Sequence, residues 1–173
     1  MTAAQRREKL LKTLASASVP VSAGALAASL GVSRQAVVGD VALLRAGGSP
    51  ITATPRGYVL GDQGVQPGRI LCTVACRHGM DGLLQELYTV VDCGCGVLDV
   101  TVEHPVYGQL SGQLQVFSRF DADEFCKKLS ENSAQLLCQL TGDIHLHTLS
   151  CPDEAHRERV LAALSEKGIL VNK

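Results

Sequence analysis

With 173 residues, 46% of them apolar and 19% charged, and a formal net charge of −1, the chain has the composition of a globular protein and not of a disordered one. Its length suits one ordinary domain or two small ones. No apolar run approaches the roughly 20 residues that span a bilayer, and the opening MTAAQRREKLLKTL lacks the uninterrupted apolar segment of a secretory signal, so a soluble, cytoplasmic protein with no membrane partner is expected.

The charge is unevenly placed. Residues 1–60 hold seven basic side chains (Arg6, Arg7, Lys9, Lys12, Arg34, Arg45, Arg56) against Glu8 and Asp40, a net +5; with 16 Lys/Arg and 17 Asp/Glu in all, the remainder carries −6. A basic head on an acidic body points to a nucleic-acid-binding module joined to a second function.

The head begins with AAQRREKLLKTLASAS, where Leu10, Leu11 and Leu14 form the apolar stripe of an amphipathic helix. In VPVSAGALAASLG, Ser22 is a candidate N-cap, Leu26 and Leu30 are four apart, and Gly31 ends the helix. A third helix starts at the N-cap Ser33, buries Val37, Val41 and Leu44, and closes at Gly47 and Gly48. Two short helices joined by a tight turn make a helix-turn-helix, whose second helix presents its N-terminal residues to base edges in the major groove. The candidate DNA contacts are therefore Ser33, Arg34, Gln35 and Val38; Arg34 suits guanine or phosphate and Gln35 suits adenine. Gly39 is unexpected mid-helix, where glycine costs about 1 kcal/mol relative to alanine; close approach of backbone to DNA is one explanation. PITATPRGYVL reads as a hairpin, Ile51–Ala53 and Tyr58–Leu60 around Pro55-Arg56-Gly57. It would form the wing of a winged helix, with Arg56 placed for phosphate or the minor groove. A three-helix module that binds another protein is the competing reading, and the wing and the charge favour double-stranded DNA.

Three glycines and a proline in GDQGVQPGR mark a boundary, giving a winged helix-turn-helix domain at 1–61, a linker at 62–68 and a second domain at 69–173. In that domain ILCTVAC reads as a strand, and GMDGLLQELYTVVDCG as a helix with Leu83, Leu84, Leu87, Val90 and Val91 on one face. GVLDVTVEHPVYG alternates Leu98, Val100 and Val102 with Asp99, Thr101 and Glu103 as a half-buried strand. QLSGQLQVF is a second strand, DADEFCKKLSE a helix opened by an Asp121/Glu124 capping box, GDIHLHTL another strand, and PDEAHRERVLAALSEKG a last helix with Pro152 and acidic residues at its start. The expected class is α+β in two domains, the second a two-layer sandwich with a largely antiparallel sheet.

Seven cysteines are many and odd in number, but nothing indicates export, so a disulfide framework is not expected. Cys72/Cys76 and Cys93/Cys95 could be imagined as zinc ligands, yet structural zinc sites more often use C-x2-C or C-x4-C on turns. Cys72 and Cys76 lie in an apolar run, which favours reduced structural thiols.

The histidines carry the chemistry. His145 and His147 are two apart in a strand and so share a face; they could equally be surface residues alternating with Ile144 and Leu146. His156 reads as a solvated surface residue, and His104, in phase with Leu98, Val100 and Val102, as a satisfied core residue. His78 precedes a helix and Glu86 lies at the margin of its apolar face. His78, Glu86, His145 and His147 together form a donor set for one divalent transition metal: nickel, zinc, iron or manganese. In one continuous helix His78 and Glu86 would be about 12 Å apart, so His78 must lie in the loop before it, or the donors must come from two chains.

VSRQAVVGDVALLRAGG and ITATPRGYVL in the head, with RHGMDGLLQELYTVVDCG, DVTVEHPVYG and LTGDIHLHTL in the body, make the chain resemble the bacterial niacin-responsive transcriptional repressors (NiaR) over nearly its whole length. The helix-turn-helix part is generic; HPVYG and HLHT with the upstream histidine and glutamate are specific. The resemblance implies a homodimeric repressor of niacin-uptake and NAD-biosynthesis genes with nicotinic acid as co-repressor, an HPr-like fold for the second domain, and a metal held by His78, Glu86, His145 and His147. It further implies that His104 of HPVYG, with Tyr107 beside it, lines the effector pocket. Gly39 and the cysteines depart from the pattern. Two other classes share these residues: a regulator that senses the metal itself, and a metal-dependent enzyme, against which stand the DNA-binding head and the want of a general base or nucleophile motif near the donors.

Overall fold

The structure, a computed structural model, describes residues 1–61 and 68–171. The chain divides into two compact units, Met1–Gln63 and Gly64–Lys173, each with its own apolar core. Except for Gly68, the expected linker at 62–68 lies outside the described residues. Among them no helix is long and apolar enough to cross a membrane.

The first unit contains α1 (Ala3–Ser16), α2 (Ala23–Leu30) and α3 (Arg34–Ala46), followed by the hairpin β1 (Ile51–Thr54) and β2 (Gly57–Leu60). Each helix starts at a side-chain cap that satisfies an otherwise orphan amide: Thr2 with Gln5 in a capping box, Ser22 onto Ala25 N, and Ser33 onto Ala36 N. Gly31 closes α2 in the left-handed conformation. Leu10, Leu14, Leu26, Leu30, Val37 and Val41 bury the shared core; Leu44 and Leu11 are only half-buried at its margin. The wing is pinned by a two-way backbone bridge between Val21 and Tyr58. Gly57 has φ +140, and a Cβ there would lie 2.4 Å from the Val21 carbonyl carbon, so only glycine lets the two segments meet.

Asp40, one of the two acidic residues of the head, is buried. It is 3% exposed on the core side of α3, where Arg6 of α1 grips it with hydrogen bonds of 2.5 and 3.1 Å, and Arg7 lies 3.7 Å away. The hydrogen bond from Arg6 holds the Asp40 carboxyl below its usual range. Two of the seven basic residues of the head are thereby spent on joining α1 to α3, and Lys12 pairs with Glu8.

The second unit runs β3 (Ile70–Arg77), α4 (Leu83–Asp92), β4 (Gly96–His104), β5 (Gly108–Val116), α5 (Arg119–Glu131), β6 (Ile144–Cys151) and α6 (Glu154–Glu166), with short 3₁₀ turns at Met80–Gly82 and Leu137–Thr141. The sheet is antiparallel throughout, in the order β3-β6-β4-β5. The three helices contribute Leu87, Val90, Ala122, Val160 and Leu164 to a core shared with Val74, Cys76, Val97, Val102, Leu114 and Leu149 of the strands. This is the α+β, two-domain class expected from the pattern, with a winged helix-turn-helix and a two-layer α/β sandwich.

Three local expectations are corrected. The cap of α5 is Ser118, whose hydroxyl accepts from Asp121 N at 3.1 Å, while the Asp121 carboxylate reaches back to Phe117 N at 3.0 Å; the helix starts earlier than an Asp121/Glu124 box requires, because Ser118 already supplies the cap. The cap of α6 is Asp153, with Pro152 outside the helix. Strict alternation in β4 is broken by a register shift between Val97 and Asp99 against β5, and against β6 between Val97 and Thr101. From Val97↔Leu149 to Thr101↔Leu146, β4 carries one more residue than β6. That is a bulge, which frees backbone groups from the ladder.

Candidate metal and effector site

The register of β6 decides the fate of the H-x-H pair. His145 stands opposite Cys76 and His147 opposite Val74, and both rings point to the helix-covered side of the sheet, each 3% exposed. The surface reading of these histidines is thereby excluded. His78 lies just past the end of β3, in the turn before α4. That turn is tight because Gly82 leaves space: a Cβ there would lie 2.6 Å from His78 Cβ. Glu86, in the first turn of α4, is fully buried at 0% exposure.

All four residues meet. Glu86 Oε2 is 2.6 Å from His78 Nε2, 3.4 Å from His145 Nε2 and 3.2 Å from His147 Nε2. The rings of His78 and His145, and of His145 and His147, pack edge to face with centroids 4.7 and 4.8 Å apart. Each Nδ1 faces a backbone carbonyl: Gly79 O at 2.7 Å, Asp143 O at 3.0 Å, and Asp99 O at 2.6 Å for His78, His145 and His147 in turn. A carbonyl can only accept, so Nδ1 carries the hydrogen and Nε2 of the neutral ring presents a lone pair. Three lone pairs then face one carboxylate oxygen. The second oxygen, Glu86 Oε1, is buried and has no hydrogen-bond partner.

Acceptors facing acceptors require a positive charge among them, either a proton or a metal cation. Burial alone would push Glu86 up, but His147, His145 and His78 outweigh it and hold the carboxyl well below its usual range. Burial likewise lowers the affinity of His78 and His147 for a proton, and Glu86, helped by the Gly79 and Asp99 carbonyls, more than reverses that for both. The donor set fits a transition metal: imidazole Nε2 atoms oriented by Nδ1–H bonds to carbonyls are the usual arrangement of histidine ligands, and the orphaned Oε1 is a further donor without a use inside the protein.

The three histidines also help line a cavity of about 210 Å³ whose other lining residues include Leu83, Val100, Leu114, Phe125, Leu136 and Leu137, with Gln113 and Gln135 as polar groups. Drug-sized sites run from about 300 Å³ upward, so this one suits a single small ring. The 3₁₀ turn Leu137–Thr141 forms part of the wall and is tied to the site by a Cys138 Sγ contact to His78 O at 4.0 Å.

His104 and Tyr107 are not brought to this cavity within one chain. They sit at the β4–β5 turn, with His104 Nδ1 accepting from Val106 N and Tyr107 N at 3.2 and 3.3 Å, and rings 5.0 Å apart. His104 lines a separate concavity there with Glu103, Pro105 and Gln109. In the head, Arg34, Gln35 and Val38 are exposed on α3, Ser33 is occupied as its cap, and Arg56 is exposed at the hairpin tip. Gly39 is exposed too, with nothing near a Cβ placed on it.

Cys76, read from the sequence as a reduced structural thiol, is free and buried, and it stands beside the donors. Its thiol, a carboxylate oxygen of Glu86 and a ring nitrogen of His145 all lie within 4.8 Å of one another. An apolar run gave no sign of this, because the contact is made across strands. All seven cysteines are free.

Comparison with known proteins places the two units. A 3H-domain profile matches residues 72–173 and an HTH-domain profile residues 6–59. The chain is 44% identical over 172 residues to "Transcription repressor NadR" of Bacillus subtilis (strain 168), covering 97% of this chain and 94% of that protein. It is 39% identical over 171 residues to "Probable transcription repressor NiaR" of Thermotoga maritima, covering 98% and 95%.

Proposed function

We propose, from the premise that the chain belongs to the NadR/NiaR family of transcription repressors, which pair an HTH domain with a 3H domain, that it represses niacin-uptake and NAD-biosynthesis genes with nicotinic acid as co-repressor. It is a DNA-binding regulator and not an enzyme, as its relatives are named. In this reading residues 1–61 bind operator DNA in the cytoplasm, 62–68 link, and 69–173 hold the metal and the effector.

The observation that carries the reading is the convergence of three Nε2 lone pairs on buried Glu86, its Oε1 orphaned, with all three histidines lining a small, mostly apolar cavity. His78, Glu86, His145 and His147 would hold one divalent ion, which when bound supplies a Lewis-acidic point at the cavity end. The aromatic ring of nicotinate matches the apolar walls, and its carboxylate and pyridine nitrogen match the polar end. Val100, Leu114 and Phe125 would clamp the ring and exclude water. The three backbone carbonyls keep the imidazoles aimed.

At the DNA, Arg34 and Gln35 read base edges from α3, Val38 offers an apolar contact, Ser33 orders the helix start, and Arg56 reaches backbone or minor groove from the wing. A homodimer would place two such helices about one DNA turn apart. Nicotinate favours repression only as far as it prefers the DNA-competent dimer. His104 and Tyr107 join the effector site only if a second chain carries them there.

A regulator that responds to the metal itself is the second reading, because the donor set is complete without the cavity. Calorimetric titration with nicotinate and with nicotinamide, on metal-loaded and chelator-stripped protein, tests both when combined with operator binding by fluorescence anisotropy. Tight nicotinate binding on loaded protein, with tighter operator binding, is expected. Operator affinity that changes with metal and ignores nicotinate would replace the niacin reading with the metal-sensing one.

A further inference from the structure

We infer that Cys76 is a fifth protein donor to the ion, a thiolate supplied from the strand next to the histidines. This rests on the metal reading above and adds to it a prediction about which metals the site selects.

Cys76 is placed by the sheet register. It is the partner of His145 across the β3–β6 ladder, and directly opposed residues put their Cβ atoms about 4.5–5.5 Å apart on the same face. Its side chain is fully buried, at 0% exposure. Thiol, carboxylate oxygen and imidazole nitrogen all fall within 4.8 Å of one another. Donors held at about 2.0–2.3 Å from one ion stand no more than about 4.6 Å apart, so these three groups need only small rotations to share it; His78 and His147 are outside that group and reach the same point through Glu86 Oε2. Glu86 Oε1 marks the same spot: a buried carboxylate oxygen with no N–H or O–H donor within hydrogen-bond geometry is costly unless a cation joins it.

An apolar role for Cys76 accounts for its burial, since free cysteine packs as a small hydrophobe. Beyond packing, the thiol faces the Glu86 carboxylate, to which its S–H can donate while no ion is bound, whereas Val74, the next inward residue on β3, supplies plain hydrocarbon. On coordination the S–H bond is replaced by a sulfur–metal bond and the proton passes to solvent. A thiolate among imidazoles is a soft ligand. It turns the site toward zinc, cobalt and nickel and away from manganese and magnesium, which prefer oxygen.

Cobalt(II) titration of the full-length, chelator-stripped protein tests this by absorption spectroscopy, alongside Cys76→Ser and His145→Ala. Wild type should show visible ligand-field bands together with a thiolate-to-cobalt charge-transfer band in the near ultraviolet. Cys76→Ser should keep the ligand-field bands, lose the charge-transfer band, and bind cobalt at least tenfold more weakly, a loss in the range that even outer-shell changes cause. The same charge-transfer band persisting in Cys76→Ser would overturn the assignment, since one of the other six cysteines would then be the donor. Ligand-field bands without charge transfer in wild type would overturn it as well, while leaving the His/Glu site standing. No cobalt binding by wild type would remove the metal reading itself. If Cys76→Ser does not fold, X-ray absorption on zinc-loaded wild type decides: a sulfur shell at about 2.3 Å is expected, and a first shell of nitrogen and oxygen alone refutes the inference.

Discussion

His147 directs its Nδ1–H at the carbonyl of Asp99, 2.6 Å away and 48 residues earlier in the chain. The contact exists because β4 carries one residue more than β6 between Val97 and Thr101, so that carbonyl is released from the ladder. Asp99 is used twice there: its Oδ1 also accepts from Thr148 N at 3.0 Å. The bulge thus fixes the tautomer of a buried imidazole, and with it the direction of the Nε2 lone pair toward Glu86.

Glu86→Gln keeps the size of the side chain and removes its charge. Metal affinity, read by competition with a coloured chelator, should drop by at least the 10–100-fold that loss of an outer-shell partner costs. Affinity equal to wild type would place the ion elsewhere in the chain.

Gly112 lines the cavity, and a Cβ on it would meet Leu137 Cδ1 at 3.5 Å and Val100 Cγ1 at 3.7 Å, both ordinary contacts. Gly112→Leu therefore fills the space proposed for the effector ring, and Gly112 is not one of the proposed donors. Calorimetry should show nicotinate binding abolished and metal binding preserved; nicotinate bound as in wild type would mean that the effector sits outside this cavity.

Gly39→Ala adds a methyl group into open space on an exposed helix face. By helix propensity alone it should stabilise the head by roughly 0.5–1 kcal/mol, visible as a higher unfolding temperature. If glycine is there to let α3 approach DNA closely, operator affinity falls at the same time. A more stable protein with unchanged affinity would dispose of the close-approach idea.

The Arg6–Asp40 pair predicts an acid-sensitive head. Asp40 has a folded pKa below its unfolded value, so its contribution is complete above about pH 4. It disappears as pH falls through the lower folded value. Asp40→Asn should lower the unfolding temperature by a few degrees at pH 7 and reduce the difference from wild type progressively below pH 4. An equal difference at pH 7 and at pH 2 would show that the ionised pair is not what holds α1 to α3.

Much of the fold is legible along the chain because its signals are local. Ser22, Ser33 and Gly31 mark helix ends by side-chain and backbone chemistry that needs no partner, and the 3.6- and 2-residue periods assign the helices and strands. The spacing of His145 and His147 puts them on one face whatever that face meets. At α5 the pattern pointed to Asp121 as the cap, while Ser118, three residues earlier, supplies it, since both residue types satisfy the same rule.

What the sequence by itself determined, then, is the two-part α+β organisation, the basic head, and a shortlist of donors. The tertiary structure alone decided that the H-x-H face is the buried one, that Cys76 stands opposite His145, that a β4 bulge supplies a carbonyl to His147, that Arg6 and Arg7 serve Asp40, and that His104 and Tyr107 lie apart from the cavity within one chain. These depend on strand register and on contacts across dozens of residues. Local propensity and periodicity carry no information about which strand lies beside which, so the chemistry that depends on adjacency emerges only once the sheet has formed.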